Sequence, residues 1–120
     1  MYIYSFKELV VWQRAMELVC EIYNATQFLP PEERFGLTSQ MRRAVVSVPS
    51  NIAEGRKRKT RNDFLQFLRI ANGSAAELET QVYIVERLYK NIALTRSKSL
   101  LEEVQKMLAT MIKKLEISNS

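Results

Sequence analysis

Seven basic side chains fall between positions 42 and 61: Arg42, Arg43, Arg56, Lys57, Arg58, Lys59 and Arg61, against a single acid, Glu54. That segment carries +6. The whole chain carries +5, so everything outside it sums to −1. A local block of cations suits contact with phosphate backbones, with affinity that falls steeply as salt rises. The same run also suits a solvated turn in which Arg56 and Lys57 complement the negative end of the preceding helix. No aromatic residue interleaves with it, so base stacking has no platform, and RNA or DNA would be met through backbone or shape.

Other chemistry is thinly supplied. The chain has no histidine and one cysteine, Cys20. General acid–base and nucleophilic arrangements therefore lack their usual base. A disulfide framework or cysteine zinc site cannot be built within one chain. Helical-bundle di-iron centres need Glu-x-x-His. Glu77 and Glu79 flank Leu78 and point to different sides of a helix, so pairing with a bundle arginine such as Arg42 or Arg43 is expected rather than metal binding or catalysis. No glycine-rich phosphate loop is present. The expectation is a protein without enzymatic activity, metal or cofactor.

The elements that position these residues read as helices. Three glycines and three prolines in 120 residues are too few for the turns of an all-β fold. The first helix is expected over 6–28, with Ser5 and Glu8 as a capping box, closed by Pro30-Pro31. A short turn at Pro31-Glu32-Glu33-Arg34 precedes Gly36. The second helix is expected over 38–57, with Met41, Val45, Val48 and Ile52 as its stripe and a kink at Pro49 eased by Ser47 and Ser50. The third runs over 61–91 from Thr60 as N-cap, with a seam from Phe64 through Leu68, Ala71, Ala75, Leu78, Val82 and Val85 to Tyr89. Gly73 at its centre suggests a close helix neighbour, since glycine costs a helix about 1 kcal/mol. The fourth runs over 97–116, capped by Thr95 or Ser97, and the tail Ser118-Asn119-Ser120 is expected to fray. Short loops between amphipathic helices define an all-α, up-down antiparallel four-helix bundle in one domain, 1–120.

The first helix carries more apolar surface than such a core needs. Leu9, Trp12, Met16, Val19 and Tyr23 form one stripe, and Val11, Ala15, Leu18, Ile22 and Ala25 form another. Together they cover about 200° of the helix, where a surface helix needs little over 100°. The surplus is assigned to neighbouring subunits, at Val11, Trp12, Ala15, Leu18 and Ile22. No run approaches the ~18 apolar residues of a membrane span. Residues 1–7 do not read as a secretory signal, so a cytoplasmic protein is expected.

Four segments carry a resemblance: Phe6-Lys7-Glu8-Leu9-Val10-Val11-Trp12-Gln13; Phe35-Gly36-Leu37-Thr38-Ser39-Gln40-Met41-Arg42-Arg43-Ala44; Ser47-Val48-Pro49-Ser50-Asn51-Ile52-Ala53-Glu54-Gly55; and Ala71-Asn72-Gly73-Ser74-Ala75-Ala76-Glu77-Leu78-Glu79-Thr80-Gln81. The chain resembles the bacterial four-helix-bundle family named for proteins encoded in intervening sequences of large-subunit ribosomal RNA genes. The resemblance implies small bundles that assemble as ring-shaped homopentamers. It also implies kinship with the accessory variability proteins of diversity-generating retroelements, which are basic, bind nucleic acid and contact a reverse transcriptase. It implies no catalytic activity.

Overall fold

The computed structural model describes residues 5–118, with side chains through Ile117. Four helices follow in order: α1 (Val10–Thr26), α2 (Leu37–Arg56), α3 (Arg61–Leu88) and α4 (Thr95–Ser118), with 3-10 turns at Phe6–Glu8 and Pro31–Glu33. Among the described residues every regular element is helical, as the spacing predicts. Asn119 and Ser120, where fraying is expected, lie outside the described residues, as do Met1 to Tyr4.

Cross-helix pairs fix the topology. Arg69–Glu116, Glu79–Gln105 and Lys98–Glu86 run in opposite senses along α3 and α4. Ser47–Ser74 and Gly55–Phe67 do the same for α2 and α3. Arg14–Glu103 and Arg96–Glu17 do so for α1 and α4. The result is an antiparallel bundle 49 × 24 × 22 Å in extent. Its core runs continuously along the axis through Leu18, Ile22, Met41, Ile52, Leu68, Leu78 and Leu108. Each such side chain contributes about 1.5–3 kcal/mol by leaving water.

Several helix ends depart from their sequence expectation. The first helix does not start at Phe6, and Ser5 and Glu8 form no capping box. Ser5 Oγ accepts from the Lys7 amide at 3.1 Å, closing a 3-10 turn, and Leu9 then adopts an extended backbone. This break folds Phe6 back onto Trp12, edge to face with ring centroids 5.4 Å apart. Helix α3 keeps its expected N-cap: Thr60 Oγ1 accepts from the Asp63 amide at 3.1 Å. It ends at Leu88, because Tyr89 leaves helical geometry to donate its hydroxyl to Glu33 at 2.6 Å. Helix α4 begins at Thr95, so Thr95 and Ser97 sit inside its first turn rather than ahead of it.

Helix α2 continues through Pro49, which is buried. Pro49 cannot donate to the Val45 carbonyl. Around it, Ser50 Oγ donates to the Val46 carbonyl at 2.8 Å and Asn51 Nδ2 to the Ser47 carbonyl at 2.7 Å. The Ser47 hydroxyl is engaged elsewhere, across the interface with Ser74. The close approach expected at Gly73 falls instead at Gly55. A Cβ at Gly55 would lie 2.6 Å from Phe67 Cβ, whereas one at Gly73 would meet nothing within 4 Å.

Candidate nucleic-acid interface

The basic cluster lies where α2 hands over to α3. Lys57 ends α2 with its amide directed at the carbonyls of Ala53, Glu54 and Gly55. Thr60, extended, starts α3. Four residues thus reverse the chain, and Lys57, Arg58, Lys59 and Arg61 are exposed while Arg56 is half-buried. Arg58 donates to Glu54 at 2.9 Å and lies 4.9 Å over the Phe67 ring. Both partners of that ion pair are about half exposed, so its net stabilisation is small. Its effect on charge is larger, because it neutralises the one acid of the segment. The N-terminus of α3 adds about half a positive charge beside Lys59 and Arg61, with Asp63 in the first turn as partial compensation.

Arg42 and Arg43 are not part of this turn. They lie about 20 Å away along α2, thirteen or fourteen residues before Arg56 at 1.5 Å each. Arg42 is held against the end of α1. Its Nε donates to Thr26 Oγ1 at 2.9 Å and its Nη2 to the Tyr23 carbonyl at 3.3 Å. The guanidinium sits 4.4 Å over the Tyr23 ring. Thr26 is buried and passes its own proton to the Ile22 carbonyl at 2.7 Å. The expected partners of Arg42 and Arg43, Glu77 and Glu79, are not theirs. Glu79 instead accepts from Tyr83 Oη at 3.1 Å and from Gln105 Nε2 at 3.0 Å. Arg43 is exposed beside Arg42, in a shallow groove on the outer face of α2.

Four of the five residues expected at a subunit interface lie elsewhere. Val11, Ala15, Leu18 and Ile22 are buried in the bundle's own core, and Trp12 is half-buried. Two contacts flank that stripe: Arg14 reaches Glu103 of α4 on one side, and Tyr23 and Thr26 receive Arg42 of α2 on the other. The surplus apolar surface is the other stripe. Met16 and Tyr23 are 40% and 41% exposed, Trp12 and Val19 are half-buried, and Val46 of α2 adds an exposed side chain at 40%. A second apolar surface, a groove of about 430 Å³, runs between Leu9, Val10 and Val11 and the α4 residues Met107 and Met111. Spacing marks both stripes of α1 but does not say which faces in.

A basic turn capping a long antiparallel bundle, with exposed apolar side chains along its length, defines the class: a small antiparallel four-helix bundle. The chain belongs to the 23S rRNA-intervening sequence protein family, whose profile matches residues 7–113. A solved structure of a protein of unknown function from the S23 ribosomal protein family of Bacteroides thetaiotaomicron is similar to it. The two share 29% identity over 86% of this chain and 98% of the other, with a TM-score of 0.75. No curated protein matches the chain. Among the described residues, no helix is long and apolar enough to cross a membrane.

Proposed function

We propose that this chain is a non-enzymatic, oligomeric, cytoplasmic bundle that contacts the backbone of RNA or DNA through the turn at Arg56 to Arg61. The observation that supports this is the concentration of exposed cations at one end of the bundle, with the single acid among them, Glu54, already paired to Arg58. Each phosphate neutralised adds about 0.9 to the slope of log affinity against log salt for B-DNA, or about 0.7 for a single strand. Four contacts per subunit lower duplex affinity about 10²-fold between 50 and 200 mM salt. Alanine at Lys57, Lys59 and Arg61 leaves the Arg56 and Arg58 contacts intact. It should weaken binding at 50 mM salt and flatten the slope by about 2–3 per subunit. Absence of binding by the unaltered protein at that salt overturns the proposal.

Assembly rests on two unlike apolar faces, the outer stripe of α1 at Trp12, Met16 and Val19 and the α1–α4 groove, which leave the surface between Tyr23 and Val46 open. Unlike faces that meet make heterologous contacts, which close into rings when the rotation allows. A homopentamer is the state that the family resemblance implies, and light scattering on a sizing column should give five times the chain mass. A monomer at micromolar concentration refutes it. The same faces favour a second reading, a scaffold for a protein partner such as a reverse transcriptase, with the turn incidental. Under that reading, purified partner binds equally well after the three-alanine change and nuclease treatment.

A further inference from the structure

We propose that the groove on the outer face of α2, around Arg42 and Arg43, is a second phosphate site, separate from the basic turn. Its choice of phosphate as ligand rests on the nucleic-acid reading above. The site itself rests on the way Arg42 is held.

A guanidinium carries five N–H donors. Arg42 uses two of them, on Thr26 Oγ1 and the Tyr23 carbonyl. Its plane is further fixed over the Tyr23 ring, 4.4 Å from the centroid. Three donors remain on a group that has already lost much of its rotamer freedom. A fork held in advance loses less entropy on binding an oxyanion than a mobile side chain does. The groove it borders, about 620 Å³, is lined also by Arg43, Ser39, Val46 and Asn51. Arg43 supplies a second cation. Asn51 has used one amide hydrogen on the Ser47 carbonyl and retains another. The only acid on the lining, Glu54, is paired with Arg58.

Each ring near these arginines has one face taken. Tyr23 lies under Arg42 and Phe67 under Arg58. The groove therefore offers bidentate hydrogen bonding and charge to a phosphate, and the Tyr23 face that Arg42 occupies is closed to base stacking. The groove reaches Glu54 beside the turn, but Arg42 and Arg43 lie about 20 Å from the turn along α2, so they and the turn engage different phosphates of one backbone.

The test is a titration read at the arginine side-chain Nε–Hε resonances, with inorganic pyrophosphate as one probe and a 20-nucleotide single-stranded RNA as another. Arg42 and Arg43 should shift together with both probes, and Arg43→Gln, an exposed change, should weaken pyrophosphate binding about 5- to 10-fold. Arg42→Lys keeps the charge but loses the fork, and should weaken it similarly while the fold, judged by amide shifts, persists. Pyrophosphate shifts at Arg42 and Arg43 without any RNA binding would leave this site standing and remove the nucleic-acid function. RNA binding that perturbs only the turn, with Arg42 and Arg43 unmoved by either probe, overturns the site and leaves the function. Equal affinity in the Arg43→Gln protein also overturns it.

Discussion

Gly55 and Gly73 sit in the two helices that pack against each other, and the structure gives them opposite roles. A methyl group at Gly55 would lie 2.6 Å from Phe67 Cβ and 3.1 Å from Phe64 Cδ1. Carbon atoms pack best at about 3.5–4.0 Å. The nearer atom is a Cβ, tied to the backbone of α3, so it cannot swing aside. Gly55→Ala must push α2 and α3 apart where they meet most closely. Overpacking of this kind costs about 1–3 kcal/mol, offset by the ~1 kcal/mol that alanine gains over glycine in a helix. The net expectation is a loss of up to about 2 kcal/mol, or up to ~8 °C in Tm for a domain of this size. Gly73→Ala meets nothing within 4 Å and should raise stability by about 0.5–1 kcal/mol. Thermal and urea unfolding by circular dichroism at one fixed protein concentration reads both, since assembly makes Tm concentration-dependent. A Gly55→Ala protein about 1 kcal/mol more stable than the parent, the gain of alanine over glycine with no clash, refutes the close approach. A destabilised Gly73→Ala protein would mean that another molecule covers that face.

Three further outcomes are expected. Leu78 is fully buried, so Leu78→Ala should lose about 2–5 kcal/mol in urea unfolding; a loss under 1 kcal/mol would place it outside the core. Gln81 is 5% exposed, and its Oε1 has no hydrogen-bond partner among the described residues. Gln81→Met removes that buried acceptor at similar volume and should gain about 1 kcal/mol, whereas a clear loss would reveal a partner. The Tyr89 hydroxyl and the Leu37 amide hold the Glu33 carboxyl below its usual pKa. A depressed folded-state pKa gives stability that is present above the unfolded value of about 4.3 and lost as pH falls through the lower folded one. Tyr89→Phe should therefore flatten the acid limb of the stability–pH curve, and an unchanged limb counts against the clasp.

Much of the architecture was legible because burial imposes a period. Met41, Val45, Val48 and Ile52 mark the inner face of α2 in the sequence and line the core in the structure. Thr60 was legible as a cap because the device is local. What the sequence hid depends on tertiary partners. Two stripes share one spacing on α1, and which of them is buried depends on α2 and α4, whose contacts at Arg42 and Glu103 are distant in the chain. Phe6 looked helical but is drawn back onto Trp12. Arg42 looked destined for a carboxylate, yet it takes a hydroxyl, a carbonyl and a ring. One weak signal was present: Thr26 at the end of a helix, where a β-branched hydroxyl can bond the preceding turn and still accept from outside.

The four-residue reversal between α2 and α3 also orders the assembly of the chain in time. Ser47 and Ser74 are 27 residues apart, while Arg14 and Glu103 are 89 apart. Closing the longer loop costs more chain entropy, so the α1–α4 seam is expected to close after the α2–α3 hairpin. The reverse holds for partial opening: α1 and α4 part before the hairpin does. Amide exchange should therefore find the slowest protons in α2 and α3, and slowest exchange in α1 or α4 would contradict it. The basic turn thus sits on the part of the molecule that remains folded longest, so a transient opening of the bundle leaves its cations in place.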